Sequence, residues 1–167
     1  MATLSVCLYC ILQTIALLVV ANGAPLLANK MLDNRWSYPV DSRLKLRDGR
    51  PLLGSTKTWR GVFAAVLFTS LAGSLNGTGY LTGALFGLLA MTGDLLASFI
   101  KRRMSRAESS RARGLDTVPE SLLPIVLLKG PLTLDILDIF LIVGIFFLIE
   151  EWGSPVLYRL HIRKRPY

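Results

Sequence analysis

The chain has 167 residues, 52% of them hydrophobic and 18% charged, yet 19 Lys and Arg stand against 11 Asp and Glu for a formal charge of +8. So much apolar surface excludes a disordered chain, and a cysteine count of 2 excludes a disulfide scaffold. A short, apolar, basic chain is expected to be a single all-α integral membrane domain over residues 1–167, with its cations gathered on one face of the bilayer.

The first apolar run, Leu4 to Ala21, holds only Ser5, Gln13 and Thr14 as polar members. Its roughly 18 helical residues reach about 27 Å, close to the hydrocarbon thickness. A cleaved signal peptide fits poorly, because no Lys or Arg precedes the run. Cys7 and Cys10 lie inside it and read as two small hydrophobes. A second span is expected from near Trp59 to about Leu75, followed by a tight turn at Asn76-Gly77-Thr78-Gly79. The third runs from Tyr80 to Ile100 and stops at Lys101-Arg102-Arg103. Its glycines (Gly79, Gly83, Gly87, Gly93) permit close helix approach, within one chain or in a homodimer. A fourth stretch, Val118 to Leu132, is weak, carrying Pro119, Glu120, Pro124 and Lys129, and could be a short helix or a re-entrant segment. The last, Leu134 to Trp152, is strongly apolar after Asp138.

Charge placement sets the topology. Eight Lys and Arg fall between Lys30 and Arg60, six between Lys101 and Arg113, and four between Arg159 and Arg165, leaving only Lys129. Five transmembrane helices with the amino terminus outside and the carboxyl terminus cytoplasmic put all three blocks inside and Lys129 alone opposite. Cytoplasmic loops then cover about residues 30–58 and 101–117, and a basic tail covers 159–167. That tail, with the single His161, reads as an anionic-lipid anchor. Chemistry is confined to the cytoplasmic face of a multi-pass cell-membrane protein. Nucleic acid is excluded as a partner, since sidedness explains the basic loops and they carry few aromatics.

Two clusters at that face carry chemistry. The first, GSTKTWRG (54–61), sets Ser55, Thr56 and Thr58 beside Lys57 and Arg60, directly before a helix. Helix-start amides and hydroxyls favour an anion, and two cations add full charge. In the second, Asp94, Ser98 and Lys101 stand at i, i+4 and i+7 on one helical face. Asp94 sits about two turns inside an apolar span, where an acid is costly unless paired, solvated or metal-bound. Lys101 or Arg60 could neutralise it. Asp116 and Glu120 stand at i, i+4 at the opening of the fourth stretch. Three oxygen ligands beside a basic anion pocket are what a Mg²⁺-triphosphate site needs, because Mg²⁺ takes few carboxylates plus phosphate oxygens and water. Asp135 and Asp138 are expected to face the headgroups or Lys129. Glu150 and Glu151 lie near the site with no decisive feature.

The strings GSTKTWRG (54–61), GDLLASFIKRR (93–103) and RGLDTVPE (113–120) resemble the membrane cytidylyltransferases that make CDP-activated lipids, over roughly residues 50 to 125. The branch they match is that of the CDP-archaeol synthases, and CDP-diacylglycerol synthase is a larger relative. The resemblance implies CTP and a lipid phosphate as substrates, a CDP-lipid and pyrophosphate as products, and a role in phospholipid biosynthesis. It further implies Asp94 and Asp116 as Mg²⁺ carboxylates, Ser98, Lys101 and Arg102 as phosphate-holding residues, and Lys57 and Arg60 at the nucleotide. One position departs. Archaeal members tend to carry an Asp three residues after the one matching Asp116, and here Pro119 stands there with Glu120 next. Either Glu120 supplies that ligand from a shifted register, or the metal site holds one fewer carboxylate. The competing readings are a non-catalytic protein binding anionic headgroups and a small transporter. The latter would place polar residues or broken helices near mid-bilayer.

Overall fold

A computed structural model describes residues 6–33, 35–106 and 114–159. Five helices follow in order: α1 (Leu8–Leu32), α2 (Trp59–Leu75), α3 (Tyr80–Arg103), α4 (Thr117–Leu127) and α5 (Ile136–Arg159). The architecture is all-helical, and the described residues add only two isolated β-bridges, Pro39 with Thr58 and Lys45 with Pro51. The 107–113 part of the second expected loop and residues 160–167 of the expected tail, His161 included, lie outside the described residues.

Helix boundaries follow local chemistry. Thr58, in extended conformation, caps α2 by accepting from the Gly61 amide at 3.3 Å. The Asn76–Gly79 turn stands where glycine and asparagine placed it, and Gly79 opens α3 with φ +91°. Lys101, Arg102 and Arg103 occupy the last turn of α3, at the negative end of its dipole. α1 differs from expectation. It runs eleven residues beyond Ala21 and takes in Pro25 and Lys30, so the first polar loop opens at Asp33 rather than at residue 30. Cys7 and Cys10 are joined in a disulfide at the start of α1, and are therefore not two independent small hydrophobes.

α1 and α3 are each long and apolar enough to cross a membrane. α5 has the length, 24 residues or about 36 Å, with Asp138 near one end and Glu150 and Glu151 near the other. α2 has 17 residues, and α4 only 11, or about 16 Å, roughly half a bilayer core. The chain continues in turns from Leu128 to Leu134, so that Thr117 lies against Glu150 at one end of the bundle and Thr133 against Cys10 at the other. The amides of Leu132, Thr133 and Leu134 donate to the carbonyls of Leu128, Gly130 and Lys129 there, in place of further helical turns.

The core is formed by Leu17 and Leu18 of α1, Phe86 of α3, Ile125 of α4, and Ile142 and Phe146 of α5, all fully buried. α2 joins through a different device. A Cβ on Gly83 would stand 2.2 Å from Thr69 O, and one on Gly87 would clash with the Thr69 hydroxyl. The α3 glycines therefore bring α2 and α3 into backbone contact within this chain. Outward, large apolar side chains such as Leu12, Phe63, Leu75 and Phe140 remain more than half exposed. Such a surface suits lipid rather than water.

Asp138 also departs from expectation, whereas Asp135 is exposed. Asp138 is buried, 1% exposed, and accepts from the Cys7 and Asp135 amides at 3.1 and 3.0 Å, pinning the starts of α1 and α5 together. Its partners are backbone amides rather than headgroups or Lys129.

Candidate active site

The chemistry-bearing residues meet at the other end of the bundle. The 33–58 loop is folded rather than loose. Val40 N donates to Lys57 O at 2.8 Å and Trp59 N to Tyr38 O at 3.0 Å, laying the segment before α2 along the stretch that follows α1. Asp41 locks this arrangement. Its buried carboxylate accepts from the amides of Leu53 (2.8 Å), Gly54 (3.0 Å) and Arg43 (3.0 Å). Burial by itself would raise the Asp41 pKa, but the three amides outweigh it and hold the carboxyl below its usual range. Gly54, buried at φ +106°, then turns the chain so that Ser55 and Thr56 face outward and Lys57 faces α3. Nothing in the local pattern marked Asp41. An acid thirteen residues before a Gly-Ser-Thr turn is a contact of the folded loop, not a motif.

A second strap ties the loop to the end of α3. The Asp48-Gly49 turn presents Asp48 to Arg103 Nη1 at 2.6 Å, while Arg50 Nη1 donates to Arg103 O at 2.6 Å. The loop therefore sits over the α3 terminus, held at both edges.

Lys57 is the residue the loop delivers. Its ammonium donates to both carboxylate oxygens of Asp94, at 2.7 and 2.6 Å, and both side chains are about three-quarters buried. Asp94 is thus paired with Lys57, and neither Lys101 nor Arg60, the cations weighed as the alternative to a metal, takes that place. Lys101, two turns further along the same face of α3 and 8% exposed, pairs with Asp116 at 2.6 Å. Ser98 and Arg102 are buried on α3, at 3% and 5% exposed. Arg60 points elsewhere. Its guanidinium donates to the carbonyls of Asp33 and Arg35 and to Asn29 Oδ1, closing the end of α1. It is the expected pocket residue that the structure does not bring to the Lys57–Asp94 pair.

α4 enters against Gly93. A Cβ there would stand 2.2 Å from Pro119 O and 2.6 Å from Glu120 Cα, so only glycine lets the two backbones touch. This contact sets Glu120 beside Asp94. Glu120 is 4% exposed and its Oε1 has no hydrogen-bond partner. Its nearest charged neighbours are Glu150, which also shares a hydrogen bond with it, then Asp94 and Lys57. Glu150 comes from α5, and Thr117 Oγ1 donates to its Oε2 at 2.5 Å. Sequence reasoning left Glu150 without a role, since only packing of α5 on α4 brings it to this end. Asp94, Asp116 and Glu120 do not converge as one set: among the described residues, no three carboxylates, histidines or cysteines gather closely enough to hold a metal.

The arrangement is two Lys–Asp pairs at the mouth of a helical bundle, under a loop rich in hydroxyls, beside a buried carboxylate with an unfilled oxygen. It can accept a polyanion if the lysines turn from their aspartates, and a cation if the carboxylates are left free. The chain matches the CarS-like CDP-archaeol synthase family model over residues 3–167. It is 34% identical to the CDP-archaeol synthase of Sulfurisphaera tokodaii over 166 residues, covering 96% of both chains. With the CDP-archaeol synthase of Sulfolobus acidocaldarius it shares 31% identity over 156 residues, covering 89% of this chain and 91% of that one. A solved structure described as an intramembrane enzyme for archaeal membrane lipids biosynthesis superposes with TM-score 0.65 at 25% identity, covering 83% of this chain and 90% of that one. A match over nearly the whole length, in sequence and in helical arrangement, joins the three motifs to one scaffold, and the chain belongs to the CDP-archaeol synthase family of membrane-lipid cytidylyltransferases.

Proposed function

We propose that this chain transfers the cytidylyl group of CTP to a diether glycerol phosphate held in the bilayer, releasing pyrophosphate and leaving a CDP-activated lipid. A lipid phosphate oxygen attacks the α-phosphorus, the bond to the β-phosphate oxygen breaks, and pyrophosphate carries away the bonding electrons. The observation that carries this reading is the Lys57–Asp94 pair, which couples the hydroxyl-rich loop to the intramembrane acid. A triphosphate arriving over Ser55, Thr56 and Thr58 competes for the Lys57 ammonium, and turning Lys57 onto phosphate frees Asp94. Lys101 and Arg102 supply further positive charge at the end of α3, and Ser98 lies on the same face as Asp94. Arg60 frames this pocket through the end of α1. Such a site works by positioning and by preorganised charge, with no covalent step on the protein.

In this reading Asp94, once freed, and the neighbouring Glu120 would hold Mg²⁺ with triphosphate oxygens, while Asp116 stands apart on Lys101 and would join them only after a rearrangement on nucleotide binding. The orphaned Glu120 oxygen is the observation that fits a cation. When bound, the ion neutralises charge developing on the leaving pyrophosphate. Five membrane crossings with this end on the cytoplasmic side are supported by the basic residues gathered there, from Lys57 to Arg103. The acceptor's chains stay among the exposed apolar faces of the bundle while its phosphate reaches the pocket.

The test incubates purified protein with labelled CTP, Mg²⁺ and diether, diacyl or isoprenoid phosphates side by side. Labelled lipid with the diether acceptor and an equivalent of pyrophosphate is expected. Retention of anionic lipid without pyrophosphate from any acceptor would overturn the enzymatic reading in favour of a headgroup-binding protein.

A further inference from the structure

We propose that the outward face of the 33–58 loop, from Arg35 to Arg47, is a membrane-surface element that takes the phosphate headgroups of anionic lipid. The inference rests on the proposed function for what the lipid does there, but the surface itself is argued from exposure, charge and place. Trp36 and Tyr38 are 77% and 72% exposed, and Leu44 is 60% exposed. Trp36 holds φ +57°, a left-handed conformation that disfavours a bulky residue, yet its indole finds little packing within the chain to repay the strain. Cations are interleaved with these apolar groups. Arg35, Arg43, Lys45 and Arg47 are all exposed, and among the described residues their side chains make no hydrogen bond or ion pair. Acids do not offset them. Over residues 33–47 the acids are Asp33 and Asp41, and Asp41 is buried on the amides of Leu53, Gly54 and Arg43. Asp48, the next acid, is taken by Arg103. Four uncommitted cations thus face the single carboxylate of Asp33.

The place of this face favours lipid over a soluble polyanion. The 25 residues of α1 reach about 37 Å, more than a hydrocarbon core of roughly 30 Å, so the helix ends in the headgroup layer. There Met31, 83% exposed, lines an open cavity of about 510 Å³ together with Leu32, Asp33 and Arg35. Arg60 donates to the carbonyls of Asp33 and Arg35, which holds the start of the loop at the helix end. Further on, Leu46 N donates to Arg50 O and Leu52 N to Leu44 O, a short hairpin along which Arg43, Leu44, Lys45, Leu46 and Arg47 alternate. An extended segment sends successive side chains to opposite faces, so the leucines can enter the acyl boundary while the long cations reach headgroup phosphates. Trp and Tyr suit the same layer. A free nucleotide would match the charge but leave the leucines in water. Anionic lipid gathered here would concentrate acceptor phosphate beside the pocket, which lowers the KM for the acceptor and leaves that for CTP unchanged.

The experiment reconstitutes the full chain in bilayers without CTP and reads quenching of tryptophan fluorescence by lipid brominated on the upper acyl chain. Phosphatidylglycerol and phosphatidylcholine are compared at equal mole fraction, and the Trp36 signal is the difference between wild type and Trp36→Phe. The anionic lipid is expected to quench that signal roughly twofold more, and the preference should vanish in about 1 M salt, as ionic attraction does. Arg43→Gln, Lys45→Gln and Arg47→Gln combined should remove the preference yet melt as wild type does, since none of the three is paired within the chain. Lys129→Gln, at the far end of the bundle, is the control and should keep it. Should the triple variant fail to fold, the salt response of the wild type decides. Equal quenching by both lipids, no quenching, or equal loss in Lys129→Gln would each overturn the surface. So would relief of the quenching by inorganic phosphate at constant ionic strength, which would mark a site for soluble phosphate instead. In turnover, the triple variant should raise the KM for the lipid phosphate alone, and an unchanged value would remove the recruiting role. Preference for anionic lipid with no pyrophosphate from any acceptor leaves the surface and removes the cytidylyltransferase reading. Pyrophosphate release with no lipid preference does the reverse.

Discussion

Lys57 decides more at the residue scale than any other side chain, because it neutralises an acid two turns inside an apolar helix. Its removal leaves Asp94 charged in a region of low dielectric. Lys57→Met is expected to lower stability by about 2 kcal/mol, less than the roughly 3–5 kcal/mol of a fully buried pair because a quarter of each side chain meets solvent. It should also remove CTP turnover, with both losses read by thermal melting and pyrophosphate release. Asp94→Asn separates the two roles. The amide keeps the shape and can still accept from Lys57, so the protein should insert and melt normally while Mg²⁺-dependent pyrophosphate release falls by a factor of about 100 or more, as the loss of a preorganised charge at a reacting phosphate does. Normal turnover in that variant would reject Asp94 as a metal carboxylate. Arg60 belongs to another class. Its guanidinium serves the last carbonyls of α1, so Arg60→Ala should cost about 1 kcal/mol of stability and affect melting more than the KM for CTP.

Between elements, the contact that matters is α3 on α4 at Gly93. Any side chain there meets the Pro119 carbonyl and the Glu120 backbone, neither of which is a flexible end that can swing away. Gly93→Ala should therefore destabilise by about 1–3 kcal/mol, in the range of overpacked cores, and cut activity by displacing Glu120 from Asp94. Gly144→Ala in α5 is the matched control. A Cβ there meets nothing within 4 Å, so helix propensity alone acts and the change should be neutral or stabilising in the same melting assay. The 33–58 loop has its own pH response. Asp41 is held below the usual carboxylate range of about 3.9, so it contributes stability that is fully present above pH about 4 and lost as pH falls through the lowered folded value. Amide exchange at Leu53 and Gly54 should accelerate on that acid side, and Asp41→Asn should flatten the dependence while raising exchange at neutral pH.

Over the whole molecule, polar chemistry and lipid contact are segregated by position along the bundle. One end joins Cys7, Tyr9, Asn76, Thr133 and Asp138 through structural hydrogen bonds; the other holds both Lys–Asp pairs. Sidedness then has a direct test. In a background with Cys7 and Cys10 replaced by Ala, Ser55→Cys should react with a membrane-impermeant thiol reagent only from the cytoplasmic side, and Lys129→Cys only from the opposite side. Reaction of both from one side would reject the alternating arrangement.

What the sequence by itself determined is whatever local pattern and charge count control. Apolar length set the existence of the helices, the Asn-Gly-Thr-Gly turn and the Lys-Arg-Arg stop set the bounds of α3, and the three motif strings named the chemistry. Clustering of cations predicted the polar end, because bilayer sidedness acts on residue type regardless of fold. Tertiary structure decided the partners. That Lys57 takes Asp94 while Lys101 takes Asp116, that Arg60 turns to α1, that Asp41 anchors the loop and that Glu150 reaches Glu120 all depend on contacts 12 to 37 residues apart. The same holds for α4, whose 11 residues are followed by turns from Leu128 to Leu134 that carry the chain to the far end of the bundle. Ion pairing in a low dielectric rewards whichever opposite charge packing brings within about 3 Å, and only the assembled bundle determines which one that is.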